Sequence, residues 1–82
     1  VNVTEVEENE LNIFPNPVKD AVKIQGNNIN SVNVYNSVGV LVERIEAGSN
    51  EVEINMNDYN TGIYFVQVNT ENGTTTRNVV KL

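Results

Sequence analysis

The groups able to do chemistry in this 82-residue chain are eleven carboxylates, five basic side chains and twelve hydroxyls, for histidine and cysteine are absent. Without them there is no Ser-His or Cys-His nucleophile, no zinc site and no disulfide. Glu51 and Glu53 are the closest carboxylate pair on a recognisable element. Two residues apart on a strand, they share one face, whereas a glycosidase sets its two carboxylates on opposite sides of a cleft. Asn55, Asn57, Asp58 and Asn60 could offer oxygen ligands to calcium. They carry one formal charge and lack the spacing of a calcium loop, and such residues in turns cap their own backbone. Asn2-Val3-Thr4 and Asn72-Gly73-Thr74 fit the glycosylation acceptor pattern, as chance matches will in a chain with 16 asparagines. No catalytic, cofactor-binding or metal-ligating residue is expected.

Charge narrows the partners. The net charge is -6, with Lys+Arg 5 against Asp+Glu 11. Five scattered bases in an acidic chain cannot hold a phosphate backbone, which excludes nucleic acid. No apolar run approaches the roughly 20 residues that span a bilayer, and the first residues are acidic, unlike a signal peptide. Residues 1–10 hold Glu5, Glu7, Glu8 and Glu10 and no base, so they read as an acidic linker or tether. Residues 11–82 then form a single domain.

The elements that must position these groups are strands. Val, Ile and Thr dominate the composition while Ala and Leu are scarce, which favours pleated, half-buried strands over helices. Seven short strands are predicted: 11–14, 21–25, 31–35, 40–45, 51–56, 63–69 and 75–82. Pro15-Asn16-Pro17 interrupts the first and suits a sheet edge or a crossing between sheets. Gly26-Asn27-Asn28 and Ala47-Gly48-Ser49-Asn50 are read as breaks. Asn36-Ser37-Val38-Gly39 is a turn in which Gly39 is free to take a positive φ. Asn72-Gly73 between two strands marks a two-residue type I′ hairpin. The pattern predicts an all-β fold, a two-sheet antiparallel sandwich in preference to a small barrel. Of the aromatics, Tyr64 shares a face with Val66 and Val68 and is read as core. Tyr59 reads as a corner tyrosine whose hydroxyl ties down a loop, and Phe65 either enters a second buried face or stands exposed as a docking contact.

Three segments together resemble one family. Leu11-Asn12-Ile13-Phe14-Pro15-Asn16-Pro17-Val18-Lys19-Asp20-Ala21-Val22-Lys23-Ile24 is similar to the Pro-Asn-Pro opening of the type A C-terminal sorting domain of the type IX (Por) secretion system. Val32-Asn33-Val34-Tyr35-Asn36-Ser37-Val38-Gly39, followed by Val40-Leu41-Val42, resembles its middle hairpin. Gly62-Ile63-Tyr64 and the tail Thr75-Thr76-Arg77-Asn78-Val79-Val80-Lys81 look like its closing motif and basic last strand, with Arg77 standing where many members have Lys. The resemblance implies a seven-stranded immunoglobulin-like β-sandwich at the C-terminus of secreted proteins in Bacteroidetes. It also implies that a covalently joined N-terminal cargo is exported through the periplasm to the surface or medium. The implied partners are the outer-membrane translocon, its shuttle protein and a surface sortase that cuts near residues 1–10.

On physical grounds the last strand, Arg77, Asn78, Val79, Val80, Lys81 and Leu82, offers a receptor an edge for strand addition, with Arg77 and Lys81 guiding approach. Removing residues 78–82 is then expected to abolish export. Pro15, Asn16, Pro17, Gly39, Gly62 and Tyr64 read as structural. An exposed edge could also pair two copies as a homodimer. The alternatives are an immunoglobulin-like or fibronectin-like spacer, and a carbohydrate-binding module using exposed aromatics among Phe14, Tyr35, Tyr59, Tyr64 and Phe65.

Overall fold

The computed structural model describes residues 11–82; the expected acidic tether at 1–10 lies outside them. Five antiparallel strands form the fold: β1 (Asn12–Phe14), β2 (Ala21–Tyr35), β3 (Leu41–Asn55), β4 (Gly62–Thr70) and β5 (Gly73–Lys81). β3 pairs with β2 along its whole length, from Ala21↔Asn55 to Tyr35↔Leu41. The other edge of β2 is therefore shared. β1 takes Lys23 to Gln25 and β4 takes Ile29 to Tyr35, with β5 outside β4.

The all-β expectation stands, but the strands are five rather than seven, and their hydrogen bonds join them in one curled sheet rather than two. The difference lies at the two segments read as breaks. Residues 26–28 and 47–50 face each other in the same hairpin, so both strands bend together and neither ends. The ladder shifts register between Gln25 and Ile29, Asn28 takes φ 54°, and Gly48 takes φ 66°. Asn28 N–H donates to Asn50 Oδ1 at 2.9 Å across the bend. Glycine and asparagine signal a break and a bulge alike, and here the bulge prevails because the partner strand bends with it.

The bend folds the two halves of the β2–β3 hairpin around one core. Val22, Ile24, Val52, Ile54 and Met56 on one side of the bend pack with Val32 and Val34 on the other and with Tyr64, Val66, Val68 and Val79 of β4 and β5. The opposite face over β2–β4–β5 is polar around Ser31, Asn33, Gln67 and Asn69 and apolar toward Tyr35, Phe65, Ile63 and Val80. Arg44 donates to Asn33 Oδ1 (3.2 Å) and Asn33 to Gln67 Oε1 (3.0 Å); Asn69 donates to Ser31 Oγ (3.0 Å) and accepts from Thr74 Oγ1 (2.8 Å). Such cross-strand pairs fix the register on a solvated face.

The turns follow their local chemistry. Gly39 has φ 89° as expected, and Asn36 Oδ1 accepts from both Val38 and Val40 N–H. The β4–β5 hairpin is a correction. Its two-residue loop is Glu71-Asn72, one position earlier than expected, and neither residue takes the positive φ that a type I′ turn needs. The Thr70 hydroxyl closes the loop instead, accepting from Asn72 N–H (3.1 Å) and donating to the Gly73 carbonyl (3.2 Å).

Candidate functional site

The residues singled out at the two ends of the domain meet. Between β1 and β2 the chain passes along the outer edge of β5, with cis peptide bonds before Pro15 and Pro17. Proline has no N–H, so in the triplet 15–17 only Asn16 can donate. Its side chain acts as a short stretch of strand. Nδ2 donates to the Asn78 carbonyl and Oδ1 accepts from Val80 N–H, both at 3.0 Å. Val18 continues the pairing in parallel sense, its N–H donating to the Val80 carbonyl at 2.8 Å and its carbonyl accepting from Leu82 N–H at 2.9 Å.

Four outward-facing backbone groups of the last strand are thus satisfied from within the chain. This corrects the expected mode of recognition, for strand addition at residues 78–82 would have to displace Asn16 and Val18. What the strand presents instead is side chains. Arg77, Asn78, Val80 and Leu82 are exposed; Val79 is core; and Lys81 is buried, its Nζ donating to the Leu82 carbonyl at 3.0 Å. Of the two charges expected to guide approach, Arg77 faces solvent freely and Lys81 is drawn against the end of the core.

Tyr64 lies beside this site on the core face, as the cross-strand partner of Val79. Its ring is buried, its hydroxyl donates to the Asn60 carbonyl at 2.7 Å, and its centroid lies 5.1 Å from that of Tyr59. Tyr64 is therefore both core and the residue that ties the 57–61 loop by its own backbone. Tyr59 hydrogen-bonds the Glu43 carboxylate on β3 instead. Burial, the hydrogen bond to Glu43, the charge of Glu43 and the neighbouring Tyr64 together push its phenol above the ordinary tyrosine range, in that order of importance. Gly62 opens β4 with φ 152°. Phe65 lies half-buried on the outer face between Tyr35 and Asn78, at its apolar end beside Ile63 and Val80.

The other candidates remain apart. Glu51 is exposed and lies 3.6 Å from Lys23, and Asn57 N–H is capped by Asn55 Oδ1 at 2.9 Å. Among the described residues no group of three or more acidic side chains is placed to hold a metal ion, and no helix is long and apolar enough to cross a membrane.

Residues 12–82 match the family model described as the secretion system C-terminal sorting domain. The chain belongs to the type IX secretion C-terminal sorting domains. The match takes in both the Pro-Asn-Pro segment and the strand that it clasps. Among solved structures, the sorting domain is similar to part of PorZ of Porphyromonas gingivalis, with TM-score 0.78 and 22% identity. That protein is described as an essential bacterial surface component of the type-IX secretion system. The alignment covers 98% of this chain and 12% of the PorZ chain, so the likeness is one of fold over a small part of a larger protein. The comparison with curated proteins gave no match. Membership implies a sorting-signal role, a cargo domain and export to the cell surface or extracellular space.

Sequence reasoning offered Pro15, Asn16 and Pro17 a sheet edge or a crossing between sheets, and the edge is where they lie; it missed their bonding partners and the role of Val18. The available signal was the pair of prolines. They leave a lone asparagine as the triplet's donor, and a buried valine follows directly.

Proposed function

We propose that this domain is a type A sorting signal, non-catalytic, that directs an N-terminally joined cargo through the periplasm and across the outer membrane of a Bacteroidetes cell by the type IX translocon and its shuttle protein. A surface sortase then cuts in the acidic segment before Leu11. The family match across residues 12–82 carries this reading. The closed edge of β5 supports recognition of a folded module through side chains, because the backbone of residues 78–82 is already bonded. Arg77, Asn78, Val80 and Leu82 form the recognition surface. Val79 and Lys81 hold the strand in place.

The test fuses residues 1–82 behind a fluorescent reporter carrying a general export signal, in a host with the type IX system and in one lacking it. Reporter at the surface or in the medium only with the system intact supports the reading. Retention in the periplasm of both hosts, with the domain folded, overturns it. Leu82→Asp and Val80→Asp keep the backbone bonds. Each should leave reporter in the periplasm while the purified domain melts near the wild-type temperature.

A further inference from the structure

β3 has one bonded edge and one open one. Among the described residues its only strand partner is β2, so no strand lies on its far side along Leu41–Asn55, where the Glu51 carbonyl accepts from the Ser49 hydroxyl at 2.8 Å. β5, the other terminal strand, is closed by Asn16 and Val18 over its last residues. Among the described residues the long free edge is therefore β3.

The side chains along it are not uniform. The hairpin tip and the first residues of β3 are apolar and exposed: Val38 at 79%, Val40 at 57%, Leu41 at 49% and Val42 at 42%. Natural edges are guarded by charge, proline or bulges; this end has neither charge nor proline at Val38 and Val40–Val42, and its one guard is the register shift that leaves Val42 without a partner between Val34↔Glu43 and Tyr35↔Leu41. Beyond it the strand carries four glutamates, Glu43, Glu46, Glu51 and Glu53, against a single arginine, Arg44. The acidic stretch resists self-pairing, since an antiparallel copy of β3 would bring glutamates against glutamates. It offers no resistance to a strand of opposite charge.

We propose that the open edge of β3 accepts an extended segment of a partner protein by strand addition, apolar where it meets Val40–Val42 and basic along Glu46, Glu51 and Glu53. Backbone hydrogen bonds supply affinity, the exposed valines and Leu41 an anchor, and the glutamates selection by charge. The proposal rests on the sorting reading above: it makes β3 a second contact with the export machinery, separate from the tail of β5.

Two measurements test it. In the first, isotope-labelled residues 1–82 are titrated with a short peptide of alternating Lys and Val, and with its Glu-Val counterpart, while amide resonances are followed. Shifts confined to Val40–Asn55, about tenfold weaker binding of the acidic peptide, and weakening with salt are expected. Equal binding of the two peptides, shifts centred on β5, or no shift up to the solubility of the peptides overturns the assignment. So does a concentration-dependent dimer in sedimentation with these same amides at its interface, which would give the edge to a second copy. In the second, the reporter fusion carries Glu46→Lys, Glu51→Lys and Glu53→Lys together. These replace exposed carboxylates whose surface ion pairs contribute little to stability. A severalfold fall in export, with the melting temperature kept, supports the proposal. Wild-type export of this variant overturns it and leaves the sorting reading standing, whereas failure of the unsubstituted fusion to leave the periplasm removes that reading first.

Discussion

Replacing Asn16 by alanine removes one donor and one acceptor from the edge of β5 and nothing else, since the side chain is exposed and packs in no core. Each net hydrogen bond is worth about 0.5–1.5 kcal/mol, and water can reach the Asn78 carbonyl and Val80 N–H once the amide is gone. The expected loss is then about 1–2 kcal/mol, in the lower part of the range for two bonds. In a domain of this size that lowers the melting temperature by about 4–16 °C. Asn16→Asp separates the two bonds. Its carboxylate still accepts from Val80 N–H but faces the Asn78 carbonyl with no proton to give. At neutral pH it should be at least as destabilised as Asn16→Ala. On acidification through the ordinary aspartate range, near pH 3.9, the acid regains a donor and its deficit relative to wild type should shrink. Asn16→Ala should show no such recovery. Thermal unfolding of the three proteins between acid and neutral pH measures both effects. A change of less than about 0.5 kcal/mol for Asn16→Ala, the range of ordinary surface substitutions, refutes the account of Asn16 as a clasp.

Three further outcomes follow from the turns and tyrosines. Tyr64→Phe leaves the Asn60 carbonyl without its hydroxyl partner and should cost about 1–2 kcal/mol by chemical denaturation, with little change in the slope of the transition. Thr70→Val removes both bonds that close the β4–β5 loop and should cost about 1 kcal/mol, with faster amide exchange confined to residues 69–75. Because the Tyr59 phenol is held above its ordinary value, near 10, base draws the proton first from the unfolded chain. Stability contributed by Tyr59 is therefore complete below pH 10 and is lost as pH rises through the raised value. Unfolding measured from neutral to strongly alkaline pH should show this fall, and Tyr59→Phe should flatten it.

The sequence made the strand class legible because alternation of valine and isoleucine with polar residues has one reading. Val22 and Ile24, Val32 and Val34, Val52 and Ile54, and Tyr64, Val66 and Val68 are all in the core where period two places them. It was less informative wherever one residue type serves two geometries. Glycine and asparagine at 26–28 and 47–50 mark a break or a bulge equally well, and only the facing strand decides which. Asn72-Gly73 shows the same ambiguity. A type I′ turn and a loop clasped by Thr70 need similar residues, and the hydroxyl that distinguishes them lies before the dipeptide. The site was half legible. Its members could be picked out as motifs, but their sequence separation of more than sixty residues hid the bonds between them.

Those bonds change what a deletion at the C-terminus can reveal. Residues 78–82 contain Val79, which fills the core opposite Tyr64, and the backbone groups that receive Asn16 and Val18. Removing them uncovers the first half of β4, Gly62 to Phe65, and takes away the groups that Asn16 and the buried Val18 bond. The remaining chain has lost the second half of an edge strand as well as the proposed recognition surface, so retention of its cargo would follow from either loss. Strand and clasp also depend on each other in the opposite direction, because a perturbed Pro-Asn-Pro segment reopens the edge at Val80 and Leu82. The two ends of the domain are thus one structural unit, and a receptor that reads the tail also reads whether the clasp has formed. Side-chain substitutions at Arg77, Val80 and Leu82 keep that unit intact, and for this reason they, rather than truncation, separate recognition from folding.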